Sequence, residues 1–451
     1  MSKILIAAIG GGKNKVNKSY SEANYLIDEK VYMNRTFITS ALEEHYGIDK
    51  TILVGTTGSM WDNVYEFYCK RFGKEYDEDY HLELIDTVDK STEKDEVTQI
   101  NIAKFNEIFK DKLLGIVTKY GMNELEIFEN FNLIIKIQDE LKDGDEVYLD
   151  ITHSFRSNSF WIFLVMNYLS DLSDKNIQIK GISYGMLEVT DRSLPKDEQR
   201  TKVVDLSAFY KILQWIKGAN NLKNYGNSYL LEKNIENENL SKKLRNFSDA
   251  LNMNYIASLR QSINSLKKLE EDIKNIEGPG KLVIPTVIKE FMNRFEGEDK
   301  DYLFQVKLAK WHFEQKRYAM AYININEAIV GFIMDSLDLP LLEGENKKDE
   351  NKLAKDWLNM ISSRYEAKKQ DPFFKADKDN AILNEYAKIF EHTRRVRNEI
   401  AHSIGTKDSA FNDIDSLKKY CEKIENMLRN RDFIIKKDEE LGFSKKLKKK
   451  I

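Results

Sequence analysis

Arg397, Asn398 and His402 stand within eleven residues, His392 to His402, near the C-terminus. An Arg guanidinium is always cationic and holds a phosphate through two donors. A His imidazole takes and returns protons near neutral pH. Together they have the means to polarise a phosphodiester and to move the proton of an attacking hydroxyl without a metal ion. The segment reads as one helix, on which Arg394, Asn398 and His402 recur every four residues along one side. Arg397 and His402, five apart, are separated by about 140° around the axis. One chain thus presents a divided set, which a second copy across a two-fold axis would complete. The same pattern equally describes a solvated, charged helix face with Ile400 and Ile404 turned inward.

A second cluster is Asp150-Ile151-Thr152-His153-Ser154-Phe155-Arg156-Ser157, after the apolar run Glu146–Leu149. A strand ending there and a helix beginning would expose unpaired amides at the positive end of a helix dipole, suited to a phosphate. Thr152, Ser154 and Ser157 add hydroxyls, Arg156 a bidentate cation, and His153 a donor to a base or phosphate. A polar helix cap with an exposed Arg fits the same residues. Two further loops follow apolar runs: Gly10-Gly11-Gly12-Lys13 and Gly55-Thr56-Thr57-Gly58-Ser59. Either is a tight turn approaching a ligand, with Lys13 near a phosphate, or a plain connection. The first lacks the G-x-G-x-x-G order of a dinucleotide site, and P-loop and serine-hydrolase signatures are absent.

The elements carrying these residues divide the chain in two. At 451 residues it is long for one core and suggests two or three domains. Lys3–Ile9, Thr51–Val54, Glu146–Asp150 and Ile177–Tyr184 alternate with amphipathic stretches such as Phe160–Leu172, the grammar of a doubly wound parallel sheet. The last run is expected to turn back through Met186–Val189 as a hairpin. Ligands of such sheets settle at the carboxyl ends of the strands, where all three polar loops fall. From about Asp205 the pattern is helical: Leu206–Lys217, a long Leu240–Ile276, a break at Gly278-Pro279-Gly280 reinforced by Pro285, then Tyr302–Glu314, Arg317–Leu337, Asn380–Ile404 and Ile414–Asn430. Glu343–Asn351 reads as a loop. The expected domains are 1–204, α/β; 205–285, a helical connector; and 286–451, a helical bundle.

Apolar residues make up 41% and charged residues 32%, the composition of a soluble protein, and no apolar run is long enough to span a bilayer. Lys3–Ile9 is too short for a signal-peptide core, so the expected compartment is the cytoplasm. Cys69 and Cys421 lie far apart, which argues against disulfides and thiolate metal sites. The six histidines include no H-x-x-x-H pair, and no metal site is expected. A net charge of −4 argues against coating DNA or RNA, and no stable DNA partner is expected, while a small basic cleft stays compatible with it. The basic tail Lys445–Lys450 reads as a solvated, frayed end.

D-x-T-H-x-x-R after a strand, followed far downstream by R-N-x-x-x-H on a helix, resembles the CARF–HEPN accessory ribonucleases of type III CRISPR systems. Domain order and helical connector match, so the resemblance covers nearly the whole chain. Some of those proteins carry Gly after the His, where this chain has Ser154. The resemblance implies a Rossmann-like CARF domain, a connector and a HEPN bundle in a homodimer. It implies a cyclic oligoadenylate activator, tetra-adenylate before hexa-adenylate, bound by Gly10, Gly11, Gly12, Lys13, Thr56, Thr57, Asp150, Thr152, His153, Ser154, Phe155 and Arg156. It implies metal-independent, cofactor-free cleavage of single-stranded RNA by Arg397, Asn398 and His402, leaving a 2′,3′-cyclic phosphate. Glu327 lies on a helix that packs beside the catalytic one in HEPN bundles, where it would pair with Arg397 or Arg394 or form an ordinary surface ion pair. Two other readings are a non-catalytic nucleotide sensor and a HEPN toxin held by an antitoxin.

Overall fold

The computed structural model describes residues 1–11, 22–153, 156–275, 280–340, 351–402 and 407–449, with the backbone alone at 156–159, 270, 272, 280, 282–284 and 407–409. Gly12, Lys13, Ser154, Phe155, Gly278-Pro279, most of the Glu343–Asn351 stretch and Ile404 lie outside the described residues. The chain forms two compact units, Met1–Tyr210 and Lys211–Ile451.

The first unit is built on eight strands: β1 (Lys3–Ala8), β2 (Ala23–Ile27), β3 (Lys30–Arg35), β4 (Lys50–Thr56), β5 (Leu113–Thr118), β6 (Glu146–Asp150), β7 (Gln178–Gly185) and β8 (Thr201–Asp205). They lie in the order β3-β2-β8-β7-β6-β1-β4-β5. Pairing from β5 to β7 is parallel, with Ile6 opposite Ile52 on one side and Leu149 on the other. Leu5 and Ala7 of β1 enter one apolar core, whereas Ile4, Ile6 and Ala8 enter another. Alternation along a strand puts these sets on opposite faces, so both faces are covered, as a doubly wound sheet requires.

The sheet is wider and less uniform than the apolar runs suggest. Met186–Val189 is not a return strand. Met186 N–H still bonds the Lys202 carbonyl (2.9 Å), but Leu187–Val189 then wind into a 3-10 turn with Val189 exposed. The antiparallel partner of β7 is β8, with Ser183 opposite Asp205. β2 and β3 form a hairpin turning at Asp28, whose φ of 52° is left-handed. The far edge, β5, is closed by side chains. The Asn106 amide donates to the Gly115 carbonyl (3.0 Å) and accepts from its N–H (2.6 Å), and Asn130 does the same for Lys119 (2.9 and 2.8 Å). A side-chain amide presents an N–H donor beside a carbonyl acceptor, as a neighbouring strand would.

The second unit is helical with two apolar cores. The expected helix Leu240–Ile276 is broken into Glu238–Asn252, Ile256–Lys267 and Glu270–Lys274. Asn254 takes a φ of 56°, a conformation Asn tolerates better than most residues, and so turns the chain without Gly or Pro. Conversely, Pro285 sits inside the helix Gly280–Asn293. The larger core gathers the helices Asp301–Glu314, Tyr318–Ser336, Lys352–Lys368, Lys378–His402 and Lys407–Met427. The basic tail is docked rather than frayed: Phe443 and Leu447 of the helix Phe443–Lys448 are buried in that core, and Lys448 Nζ donates to the Leu337 carbonyl (3.1 Å).

Replacing Asn106 with Ala strands a donor and an acceptor on the β5 edge. We expect the first unit to lose about 1–3 kcal/mol, read as a lower urea midpoint. An unchanged midpoint would mean that water replaces the amide without loss.

Candidate functional site

The polar loops of the first unit follow the carboxyl ends of β1, β4 and β6, as the sheet topology dictates. The loops after β1 and β4 pack backbone to backbone: a Cβ on Gly11 would lie 2.8 Å from the Gly58 carbonyl oxygen, which only glycine avoids. Ser59 Oγ ties them together, donating to the Ile9 carbonyl (3.0 Å) and accepting from Thr56 N–H (2.9 Å). Thr56 and Thr57 are buried, and the Thr57 hydroxyl bonds Ser91 (2.6 Å). Gly10 lends its carbonyl to Met60 N–H (3.1 Å).

Asp150, at the end of β6, is fully buried. Its Oδ1 accepts from the Thr152 hydroxyl (2.5 Å) and Thr152 N–H (3.2 Å), and that hydroxyl in turn accepts from Gly185 N–H (2.8 Å). Carboxylate, hydroxyl and amide thus join the tips of β6 and β7. Oδ2 of Asp150 has no hydrogen-bond partner among the described residues. Burial raises the Asp150 pKa to about 7, against the smaller lowering effect of the Thr152 bonds. His153 keeps part of its edge at the surface, yet packing around its ring lowers its pKa to about 4. It is therefore neutral at pH 7 and offers a donor and an acceptor rather than a charge. Arg156 opens the helix Arg156–Asp171 directly after these residues.

In the second unit the expected motif helix is Lys378–His402. Leu383, Tyr386, Phe390, Thr393 and Val396 turn inward. The helix is held by a buried amide: Asn326 Nδ2 donates to the Phe390 carbonyl (3.1 Å) and to the Thr393 hydroxyl (2.9 Å). One residue further along that partner helix, Glu327 Oε1 accepts from Arg397 Nη1 at 2.8 Å. Arg397 is half-buried, whereas Asn398 and His402 are exposed. Ile400 is exposed too, at 43%, so the inward-facing arrangement expected of a plain amphipathic end does not hold for it. Arg394 reaches Asn359 (3.3 Å).

His392 sits apart from these groups. Its Nε2 lies 3.1 Å from Asp413 Oδ1 and its Nδ1 2.9 Å from the Tyr420 hydroxyl, and Asp413 also accepts from Arg395 Nη2 (3.1 Å). It clasps the motif helix to the helix Lys407–Met427. Asn326 and Asp413 carry no signal in the sequence, because their roles appear only through partners distant along the chain. Among the described residues no three His, Cys, Asp or Glu side chains gather as a metal site, and no helix is long and apolar enough to cross a membrane.

Residues 4–188 match the family model of the CARF domain of the CRISPR system endoribonuclease Csx1, and residues 211–299 match the second domain of CRISPR-associated protein MJ1674. CRISPR-associated protein MJ1674 of Methanocaldococcus jannaschii is 32% identical over 449 residues, which are 95% of this chain. The chain spans 66% of that relative's own length. Among solved structures, Enterococcus italicus Csm6 bound to cyclic hexa-2′-fluoro-hexa-dAMP aligns over 100% of both chains at 12% identity, with a TM-score of 0.38. The first unit is a CARF domain on a mixed α/β sheet, followed by a helical region. The chain thus carries a CARF domain similar to that of Csx1, and over most of its length it is similar to a CRISPR-associated protein.

The buried Asp150 makes stability depend on pH. Its folded pKa, about 7, lies above the unfolded value, so the folded chain holds a proton the unfolded chain has lost. Stability therefore falls as pH rises from about 4 to 7 and levels off above. Asp150→Asn removes the titration. Its advantage over wild type in thermal melts should grow between pH 5 and 8, reaching on the order of 2–4 kcal/mol. A difference constant across that range would show that the carboxyl does not titrate there.

Proposed function

We propose that this chain is an endoribonuclease that cuts single-stranded RNA without a metal ion when a cyclic oligoadenylate binds its CARF domain, in CRISPR antiviral defence. The proposed domains are 1–204 for sensing, 205–285 for connection and 286–451 for a HEPN-type ribonuclease. The observation that carries the reading is the arrangement at the end of the motif helix. Arg397 is held by Glu327 at 2.8 Å, and His402 is exposed about 1.4 turns on. The CARF domain at the other end of the same chain supplies a reason to regulate such a site.

In this mechanism the 2′-hydroxyl of the RNA attacks the adjacent phosphorus. His402 assists proton transfer, and Arg397 stabilises the charge that builds on the non-bridging oxygens. Asn398 orients the imidazole or the phosphate. The 5′-oxygen of the next nucleotide leaves with a proton, and a 2′,3′-cyclic phosphate remains. Glu327 fixes the Arg397 guanidinium in one direction, so its second edge is free to meet the phosphate. Because Arg397 turns toward the bundle and His402 toward solvent, the working site is assigned to a homodimer.

In the CARF domain, the helix start at Arg156 and the Arg156 side chain take the phosphates of the ring. Neutral His153 reads a base edge. Asp150 and Thr152 brace the loop from behind, and Gly10, Gly11 and the loop Thr56-Thr57 wall the pocket. The proposed activator is cyclic tetra-adenylate, and cyclic hexa-adenylate is the alternative.

RNA cleavage against a panel of cyclic oligoadenylates, with EDTA present, tests the reading. Cleavage with no dependence on any of them would favour control by an antitoxin. Absence of cleavage with tight binding would favour a sensor. His402→Ala and Arg397→Ala should each lower cleavage by on the order of 10²- to 10⁴-fold while activator binding persists. Full activity in His402→Ala would remove the site from this helix. Light scattering should give a dimer, and activity surviving dilution to monomers would sink the shared site.

Arg156→Ala should weaken activator binding by about ten- to a hundredfold, for loss of a charge-assisted contact. Saturating activator should restore cleavage in that variant but not in His402→Ala. Calorimetry paired with the cleavage assay reads both, and unchanged affinity in Arg156→Ala would place the ligand elsewhere.

A further inference from the structure

The helices Glu238–Asn252 and Ile256–Lys267, joined by the turn at Asn254, enclose a surface groove of about 610 Å³. It lies within residues 211–299, the region matching the MJ1674 second domain. Lys242, Lys243 and Asn246 line one side, and Gln261, Ser262 and Ser265 the other. At the turn end the groove is flanked by Met253 and Tyr255, 58% and 57% exposed. From Asn239 to Met253 the first wall runs about 21 Å at 1.5 Å per residue.

Most of the polar groups on the two walls of the groove differ from their neighbours on the same helices, which are paired. Among the described residues, none of the six wall residues just named forms a side-chain hydrogen bond or ion pair. Ser241 bonds the Glu232 carbonyl (3.2 Å), Ser248 the Gly226 carbonyl (2.9 Å) and Arg260 the Glu298 carbonyl (2.8 Å), Arg245 pairs with Glu232, and Lys267 pairs with Glu296 (2.7 Å). The groove's one carboxylate, Asp249, already accepts from the Tyr229 hydroxyl (2.8 Å). Two unpaired ammonium groups, amides and hydroxyls in a row, and an accessible aromatic ring at one end are what a flexible anionic strand with exposed bases requires. The lysines suit its phosphates, Tyr255 can stack a base, and Ser262, Ser265, Asn246 and Gln261 can bond base edges and 2′-hydroxyls.

The turn end also ties the groove to the proposed catalytic bundle. Asn254 Oδ1 accepts from Asn324 Nδ2 (2.9 Å), and Asn324 lies on the helix carrying Glu327, three residues before the partner of Arg397.

We infer that this groove is a track for single-stranded RNA, holding the substrate strand beside the bundle. The inference rests on the ribonuclease reading for the identity of the strand. The test uses full-length protein carrying His402→Ala, so that nothing is cut, and a fluorescein-labelled single-stranded RNA 20-mer with a DNA strand of the same sequence. Adding Lys242→Gln and Lys243→Gln should weaken RNA binding tenfold or more and lower the salt slope by about 1.4, the value for two phosphate contacts on a single strand. Tyr255→Ala should weaken binding several-fold without changing the slope. The parent should prefer RNA to DNA, and equal affinity would overturn the reading of 2′-hydroxyls.

RNA affinity unmoved by the lysine pair overturns the track and leaves the face to a protein partner. Cleavage by the otherwise wild-type chain separates the two readings. If cyclic tetra-adenylate stimulates cleavage and the lysine pair leaves KM for the 20-mer unchanged, the track fails and the ribonuclease stands. If no RNA is cut under any activator but the lysine pair still abolishes binding, the ribonuclease fails and the groove remains an RNA site.

Discussion

Strand β1 has no face left for water, and that burial shapes the whole first unit. Ile4, Ile6 and Ala8 point into one core and Leu5 and Ala7 into the other, so helices must cover both sides of the sheet. Crossovers that cover both sides keep the central strands parallel and send their carboxyl ends to one rim. The turns after Ile9 and Thr56 collect at that rim, where Thr56, Thr57 and Ser59 are buried against each other's loops. Asp150 is buried as well, carried into the interior by the strand before it. Thr152, whose hydroxyl is held by the β7 amide of Gly185, answers that burial on one oxygen only. The consequence is a loop fixed from behind and a carboxyl poised between protonation states.

A comparable economy governs the second unit. Asn326 puts a polar amide among apolar side chains, which is tolerable only because both of its hydrogens are used on the motif helix. Its neighbour Glu327 faces the adjacent direction and meets Arg397. One turn of one helix therefore both seats the motif helix and aims its cation. His392, the other titratable ring on that helix, is occupied by Asp413 and Tyr420 and acts as a clasp. Position along the helix thus separates two histidines of identical chemistry.

The parts legible from sequence were those whose signal is local. β1, β4, β6 and β7 are apolar runs because both faces are buried, and the motif helix begins within two residues of its apolar period. β2 and β3 escaped because a hairpin at the sheet margin is buried on one side alone and β3 shows mostly exposed residues. β5 was obscured by Gly115, a weak strand former kept where a Cβ would meet Ile102 at 2.6 Å. The break at Asn254 carried no Gly or Pro to mark it. In the candidate sites, residue types and spacing pointed to Arg397, His402 and the Asp150–Arg156 loop. What could not be read was which groups brace and which are presented. That distinction depends on Gly185, Glu327 and Ser91, each more than thirty residues away in sequence from the group it touches.

The closing of β5 has a consequence for the chain as it is made. A growing sheet is most hazardous while its last strand is open, because any other extended segment can pair with it. Here the closing amides belong to residues nine and eleven positions from the peptides they satisfy. Asn106 precedes the strand and Asn130 soon follows it, so this margin seals within a short stretch of translation, before the second unit exists. The two strands that run against the central ones, β8 and β2, lie toward the opposite margin, which β3 closes.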